Sequence, residues 1–227
     1  MTDDAPKVAA APSSMRLVLT LAIAGLISGI AIIGIYETTL PTITANKARE
    51  LREAVFKVLP GVSQLQALVN RDSELIAVEK PAKDEPVVYG GYDDQGEFVG
   101  YAIPAAGPGF QDTIGLLYGY RPGKKIVVGM EVLESRETPG LGDKIYKDPV
   151  FVGGFSALSV VPKIVAVKKG TQSQPNEIDV ITGATISSKA VVRIINETHE
   201  EWSGQLPAPG SEPPLVRTEP AAAEAGQ

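Results

Sequence analysis

The sequence predicts an α+β protein in which one apolar helix near the N-terminus precedes a twisted antiparallel sheet with flanking helices. Three observations predict it. Residues 17–36 are twenty consecutive positions without a charge. From Pro86 to Leu133, short apolar runs alternate with turn residues, as antiparallel hairpins require. Helical periodicity appears on both sides of that region, before Pro60 and after Ser187.

The first element reads LVLTLAIAGLISGIAIIGIY, from Leu17 to Tyr36. As a helix it would extend roughly 30 Å, the hydrocarbon thickness of a bilayer. A cleaved signal peptide is disfavoured, because the preceding tail carries Asp3 and Asp4 and the exit YETTLPTI lacks a small-x-small site. Residues 15–36 are therefore expected to lie in membrane lipid, behind a tail of residues 1–14. Ala22, Gly25, Ser28 and Gly29 would let another membrane helix approach closely. Charge leaves the orientation open: Lys7 and Arg16 lie on one side, Lys47, Arg49 and Arg52 on the other.

Residues 37–45, containing TLPTIT, read as a short extended spacer. A helix follows, with Ala48, Leu51, Val55, Val58 and Leu59 along one face and Pro60-Gly61 ending it. EKPAKDEP is polar and reads as loop. PVVYGGY and EFVGYAIPA form a hairpin about Asp93-Asp94-Gln95-Gly96, and DTIGLLYGYRPGKKIVVGMEVL a second about Arg121-Pro122-Gly123. ALSVVPKIVAVKKG supplies another apolar segment, and EIDVI a last strand before a helix over about Ser188–His199. The folded domain is expected over residues 46–203. The remainder, 204–227, is rich in Pro, Ala and Glu and reads as a disordered tail.

Composition narrows the chemistry. The net charge of −6 and pI near 5.0 come with no basic stripe, which argues against a nucleic-acid partner. Cysteine is absent and His199 is the single histidine, so thiolate-held iron–sulfur clusters, Cys-rich zinc sites and C-x-x-C-H haem attachment are excluded. Redox chemistry here would need an organic cofactor.

Two stretches carry candidate chemistry. In VITGATISSKAVVRI, residues 180–194, an apolar strand runs through Thr182-Gly183-Ala184-Thr185 into a helix. Such a turn offers unpaired amides and partial positive charge, which attract phosphate. Gly183 and Ala184 would let an anion approach, while Lys189 and Arg193 could add positive charge. An ordinary Ser/Thr N-cap explains the same residues. In Glu137-Thr138-Pro139-Gly140-Leu141-Gly142, Pro-Gly suits a type II turn, and the second glycine would leave amides open to a planar polar ligand.

Together, ETPGLGDK (137–144) and DVITGATISS (179–188), behind one N-terminal membrane helix, resemble the G subunit of the Rnf electron-transport complex. The related C subunit of the sodium-pumping NADH:quinone reductase shares both motifs. The resemblance implies an FMN-binding domain in which a flavin transferase reads Asp-x-x-Ser/Thr-Gly-Ala-Ser/Thr and esterifies the last hydroxyl with the FMN phosphate. Asp179 to Thr185 matches that pattern, making Thr185 the expected acceptor of covalent FMN and Asp179 a recognition residue for the transferase. The resemblance further implies phosphate contacts from Thr182 and Ser187, and an isoalloxazine ring near Thr138, Gly140, Leu141 and Gly142. Glu137 could form a structural ion pair; Tyr118, Tyr120 and Trp202 could stack on the ring, although core packing suits them better. The implied setting is electron relay in a complex coupling ferredoxin:NAD⁺ electron transfer to sodium or proton transport, beside other membrane and iron–sulfur or flavin subunits. The domain would face the periplasm or outer surface, with residues 1–14 cytoplasmic. A non-covalent module for a phosphorylated ligand and a purely structural anchor are the competing functions.

Overall fold

The computed structural model describes residues 13–82 and 84–216, so most of the expected N-terminal tail and the last eleven residues of the expected C-terminal tail lie outside the described residues. The chain divides into two compact units, residues 1–49 and 50–227.

The first unit contains most of helix α1 (Ser14–Val58), which is long and apolar enough to cross a membrane. Large apolar side chains from Met15 to Ile43 are exposed along it. The expected extended spacer is corrected here, because residues 37–45 are helical and Pro41 sits inside α1. A proline removes one helical donor and crowds the preceding turn. Around it, the threonine hydroxyls turn back onto the helix. Thr38 donates to the Gly34 carbonyl at 2.9 Å, Thr39 to Ile35 at 2.8 Å and Thr44 to Leu40 at 2.9 Å. Hydroxyls that often favour turns are thus spent inside the helix.

The second unit is built on a seven-stranded antiparallel sheet of order β2-β1-β3-β4-β5-β6-β7. Its strands are β1 (Gln64–Arg71), β2 (Glu74–Val78), β3 (Val87–Tyr92), β4 (Phe98–Pro108), β5 (Thr113–Arg121), β6 (Ile126–Glu134) and β7 (Leu158–Ser159). Both expected hairpins are present as β3–β4 and β5–β6. The sequence reading did not assign β1 and β2, which pair about a turn at Asp72-Ser73. Two short helices lie between β6 and β7, α2 (Lys144–Lys147) and α3 (Pro149–Gly153), and the Asp148 side chain caps α3. Strands β8 (Val165–Val167) and β9 (Glu177–Asp179) form a separate parallel pair, and α4 (Thr185–Ser203) leaves from β9.

Strand alternation divides the core between two faces. Tyr101, Ile103, Leu116, Tyr118 and Val127 point to a core shared with Val191, Ile194, Ile195 and Trp202 of α4. Ala102, Leu117 and Val128, the alternate residues, meet Ala54, Val55, Val58 and Leu59 at the end of α1. Of the expected apolar face, Ala48 alone stays fully exposed.

The expected disordered tail is also corrected for residues 204–216. Leu206 packs against the α4 core, and residues 213–216 run beside β1 and β3. Tyr92 donates its hydroxyl to the Pro213 carbonyl at 2.6 Å. The Gln66 amide donates to Pro214 at 3.1 Å and accepts from the Val216 amide at 2.9 Å. Proline-rich backbone cannot join a ladder through its missing N–H groups, but its carbonyls are free for these side chains. Burial pushes the Tyr92 phenol up to about 12, so it remains a donor at neutral pH.

Candidate functional site

Three chain segments meet at a cleft of about 360 Å³. Phe110 enters from the β4–β5 turn, Thr138, Leu141 and Gly142 from the loop after β6, and Gly183 to Ser187 from the start of α4. The two motifs are therefore adjacent, although the hydrogen bond that joins them spans fifty residues.

The turn before α4 is set by Gly183, whose φ of +83° lies in the left-handed region that glycine occupies without strain. Ala184 takes the N-cap position, and no side chain caps the helix. This removes the N-cap explanation for the hydroxyl-rich turn. The four hydroxyls divide instead by burial. Ser187 and Ser188 are buried. Ser188 donates to the Ala184 carbonyl at 2.8 Å and accepts from the Ile181 amide at 3.2 Å, which ties the strand end to the helix. Thr182 and Thr185 are exposed, and Thr185 lines the cleft at the first residue of α4.

Ser187 is not a free phosphate donor as expected. Its hydroxyl donates to Glu137 Oε2 at 2.6 Å. Glu137 is 5% exposed, and its Oε1 accepts from the amides of Phe110 at 2.8 Å and Gln111 at 3.0 Å. Burial alone would raise its pKa. The Ser187 hydroxyl and the Gln111, Phe110 and Asp112 amides outweigh that and hold it below the usual carboxylate range. The expected ion pair is absent: among the described residues no cation pairs with Glu137.

The loop after β6 is shaped around this carboxylate. Gly140 has φ +78°, and the Leu141 and Asp143 amides return to the Thr138 carbonyl at 3.1 and 3.4 Å. A Cβ on Gly142 would stand 2.5 Å from Glu137 Oε2 and 3.0 Å from Ser187 Oγ, so only glycine lets the loop pass there. The Thr138 hydroxyl donates to the Gln111 side chain at 2.8 Å, joining loop to turn. Asp143 is buried, and Lys147 at 2.6 Å, aided by the Gly140 amide, holds its carboxyl below the usual range.

Other expected contributors lie elsewhere. Lys189 is exposed and does not line the cleft; Arg193 bonds Glu197 and the Pro108 carbonyl. The helix terminus itself places partial positive charge at the cleft. Asp179 accepts from the amides of Gly170 at 2.7 Å and Gln172 at 3.3 Å, closing the loop between β8 and β9. Tyr118, Tyr120 and Trp202 belong to the core, and His199 packs edge-on against Tyr120 at 4.6 Å.

Two cleft residues were missed in the sequence. Phe110 and Ile186 are 61% and 58% exposed, and with Leu141 they give the cleft an apolar rim. An aromatic inside the turn GPGFQD was the available signal for Phe110. A larger cleft of about 610 Å³ lies beside the C-terminal segment, but neither motif reaches it.

Comparison with known proteins places this geometry in context. The family profile described as FMN-binding domain matches residues 109–200, which run from the Phe110 turn into α4. The G subunit of the Na⁺-translocating ferredoxin:NAD⁺ oxidoreductase complex from Acetobacterium woodii is 36% identical, over 62% of this chain and 68% of its own length. Its counterpart in a proton-translocating complex from Clostridium ljungdahlii is 30% identical over 83% and 91%. The G subunit of an ion-translocating oxidoreductase complex from Methanosarcina acetivorans is 27% identical over 84% and 95%. Among solved structures, NqrC of Shewanella oneidensis superposes with a TM-score of 0.54 at 21% identity, covering 67% of this chain and 91% of that one. The C subunit of the Na⁺-translocating NADH-quinone reductase from Parabacteroides distasonis gives 0.51 at 24%, covering 63% and 77%. At these identities the two structures establish a shared fold.

Proposed function

Because this chain belongs to the family of G subunits of ion-translocating oxidoreductase complexes of the Rnf type, we propose that it is a membrane-anchored flavoprotein that bears FMN as a phosphoester on Thr185. In this reading it relays electrons within such a complex and catalyses no complete reaction alone. One observation carries the proposal. An exposed threonine hydroxyl stands on the first turn of a helix that no side chain caps, in a cleft facing the 138–142 loop.

The residues present fit a flavin nucleotide. The amides and dipole of the α4 terminus suit a phosphate. Thr185 Oγ1 would supply the ester oxygen: as it bonds to the phosphorus of an activated flavin-phosphate donor brought by the transferase, the bond from phosphorus to the donor's leaving group would break and the hydroxyl proton would depart. Phe110, Leu141 and Ile186 offer apolar surface to a flat ring, and the backbone of Thr138, Gly140, Leu141 and Gly142 offers polar contacts to its edge. Ser187 is committed to Glu137, and Thr182, exposed just outside the cleft lining, is the other hydroxyl of the turn that could reach a phosphate there. Bound FMN supplies reversible uptake and release of electrons. The chain's own work is to anchor the phosphate, orient the ring and keep water from its apolar face.

Family membership supports the Rnf G subunit over the quinone-reductase C subunit, whose likeness here is one of fold. The relatives' names include both a sodium- and a proton-translocating complex, so we assign the class of complex and not the ion. We also assign the domain of residues 46–203 to the periplasmic or outer face, Asp179 to recognition by a flavin transferase, and the partners to neighbouring membrane, iron–sulfur and flavin subunits.

The test is the intact mass of the denatured chain, purified from cells that also express a flavin transferase. A gain of FMN minus one water, lost in Thr185→Val, is expected. An unmodified chain, with the transferase active on a control substrate, would refute the proposal and favour non-covalent binding of a phosphorylated ligand.

A further inference from the structure

Glu137 is a buried charge that no cation balances among the described residues. Taking a carboxylate out of water is costly unless donors replace the water. Here the donors come from two different walls of the cleft. The amides of Phe110 and Gln111 belong to the β4–β5 turn, and the Ser187 hydroxyl belongs to the first turn of α4. Glu137 itself begins the third wall, the 137–142 loop, and Gly142 of that loop presses against both the carboxylate and Ser187. A neutral acceptor would have been enough to close one such contact. The unneutralised charge sits directly behind cleft-lining residues, where low polarisability leaves its field poorly screened.

We infer that Glu137 is the positioning residue of this site: its ionised carboxylate locks the three walls of the cleft together and makes the flavin held at Thr185 harder to reduce. The electrostatic half follows from charge alone, because an added electron beside a fixed negative charge is disfavoured. That half rests on the covalent-carrier reading; the lock does not.

Two measurements on the full chain test the inference. The unloaded protein reads the lock by amide hydrogen exchange. Replacing the charged acceptor weakens its bonds, so Glu137→Gln should speed exchange at Phe110, Gln111 and Ser188, whose amide donates to the Ala184 carbonyl in the first turn of α4, together by about tenfold. Ser187→Ala should loosen the α4 turn while Phe110 and Gln111 stay protected. Exchange at the wild-type rate in Glu137→Gln would overturn the lock. If that variant does not fold, a Ser187→Ala chain with an undisturbed α4 turn would overturn it equally.

The loaded protein reads the charge by flavin midpoint potential. Glu137→Gln should favour reduction by about tenfold, or about 59 mV for one electron, whereas Ser187→Ala, which keeps the charge, should stay near the wild-type value. An unchanged potential in flavin-bearing Glu137→Gln would overturn the electrostatic half. A folded Glu137→Gln that accepts no flavin supports the lock, and a tenfold rise in Ser187→Ala then overturns the charge assignment. A wild-type chain without flavin refutes the covalent-carrier reading and leaves the exchange result standing.

Discussion

Gly142→Ala tests the construction of the cleft most directly. The new methyl would lie 2.5 Å from Glu137 Oε2, 2.8 Å from Glu137 Cβ and 3.0 Å from Ser187 Oγ. The two distances to Glu137 are shorter than a carbon contact tolerates and the one to Ser187 Oγ is tight, while Glu137 and Ser187 are held by their own hydrogen bonds. Overpacking a tight site costs about 1–3 kcal/mol. Displacing Ser187 from a charged acceptor costs about 1.5–3 kcal/mol more. Alanine stiffens the unfolded chain and returns about 0.4–1 kcal/mol. The expected net loss is about 3 kcal/mol, which with a urea slope of about 2 kcal/mol/M moves the midpoint down by about 1.5 M. Gly140→Ala is the control. Nothing lies within 4 Å of its added methyl, and its penalty is the positive φ of +78°, about 1–2 kcal/mol before the same entropic return. The assay is urea unfolding of the full chain in detergent, read from Trp202, the single tryptophan, which is buried against α4's core. In a Ser187→Ala background the Gly142→Ala loss should shrink by about 1 kcal/mol, because the two changes damage one contact. A Gly142→Ala chain no less stable than Gly140→Ala would refute this account of the cleft.

Glu137 and Asp143 both have depressed folded-state pKa values, so their stabilisation is present above the unfolded carboxylate range and is lost as pH falls through the folded values. Urea midpoints should therefore drop on acidification below about pH 4.3, the unfolded glutamate value, and Glu137→Gln should flatten that drop. Ser188→Ala strands the buried Ile181 amide and should cost about 1–3 kcal/mol by the same assay. Gln66→Ala removes both bonds that hold Pro214 and Val216. It should expose residues 207–216 to proteolysis while leaving the Trp202 unfolding transition in place; resistance equal to wild type would show that Tyr92 suffices.

The hairpins β3–β4 and β5–β6 were legible because their turns use glycine and proline in their usual places. The β1–β2 hairpin was not, since Asp72 and Ser73 adopt φ of +54° and +68° without any glycine to mark the turn. Pro41 and three threonines read as a break because the return of their hydroxyls to helix carbonyls is invisible in a linear pattern. The tail from residue 204 read as disordered on composition, yet residues 213–216 are held by Gln66 and Tyr92, more than a hundred residues away. At the site, Thr185, Gly183 and the 138–142 loop were readable as motifs. Which hydroxyl faces the cleft and which serves the scaffold was not, because that division depends on Glu137 arriving from fifty residues upstream.

If Asp179 is what a flavin transferase reads, as proposed above, the bonds that close the loop between β8 and β9 bear on when it can be read. In the folded domain both oxygens of Asp179 are occupied by backbone amides, at Gly170 and Gln172. An enzyme that recognises this side chain must meet it before the loop closes, or spend binding energy prising the loop open. On the covalent-carrier reading proposed above, maturation would be a race between two timetables, the folding of the last strand and the arrival of the modifying enzyme. Substitutions that stiffen residues 168–174 would leave the finished protein sound and yet reduce the fraction ever modified, a defect visible in yield during synthesis and absent from any property of the purified, modified chain.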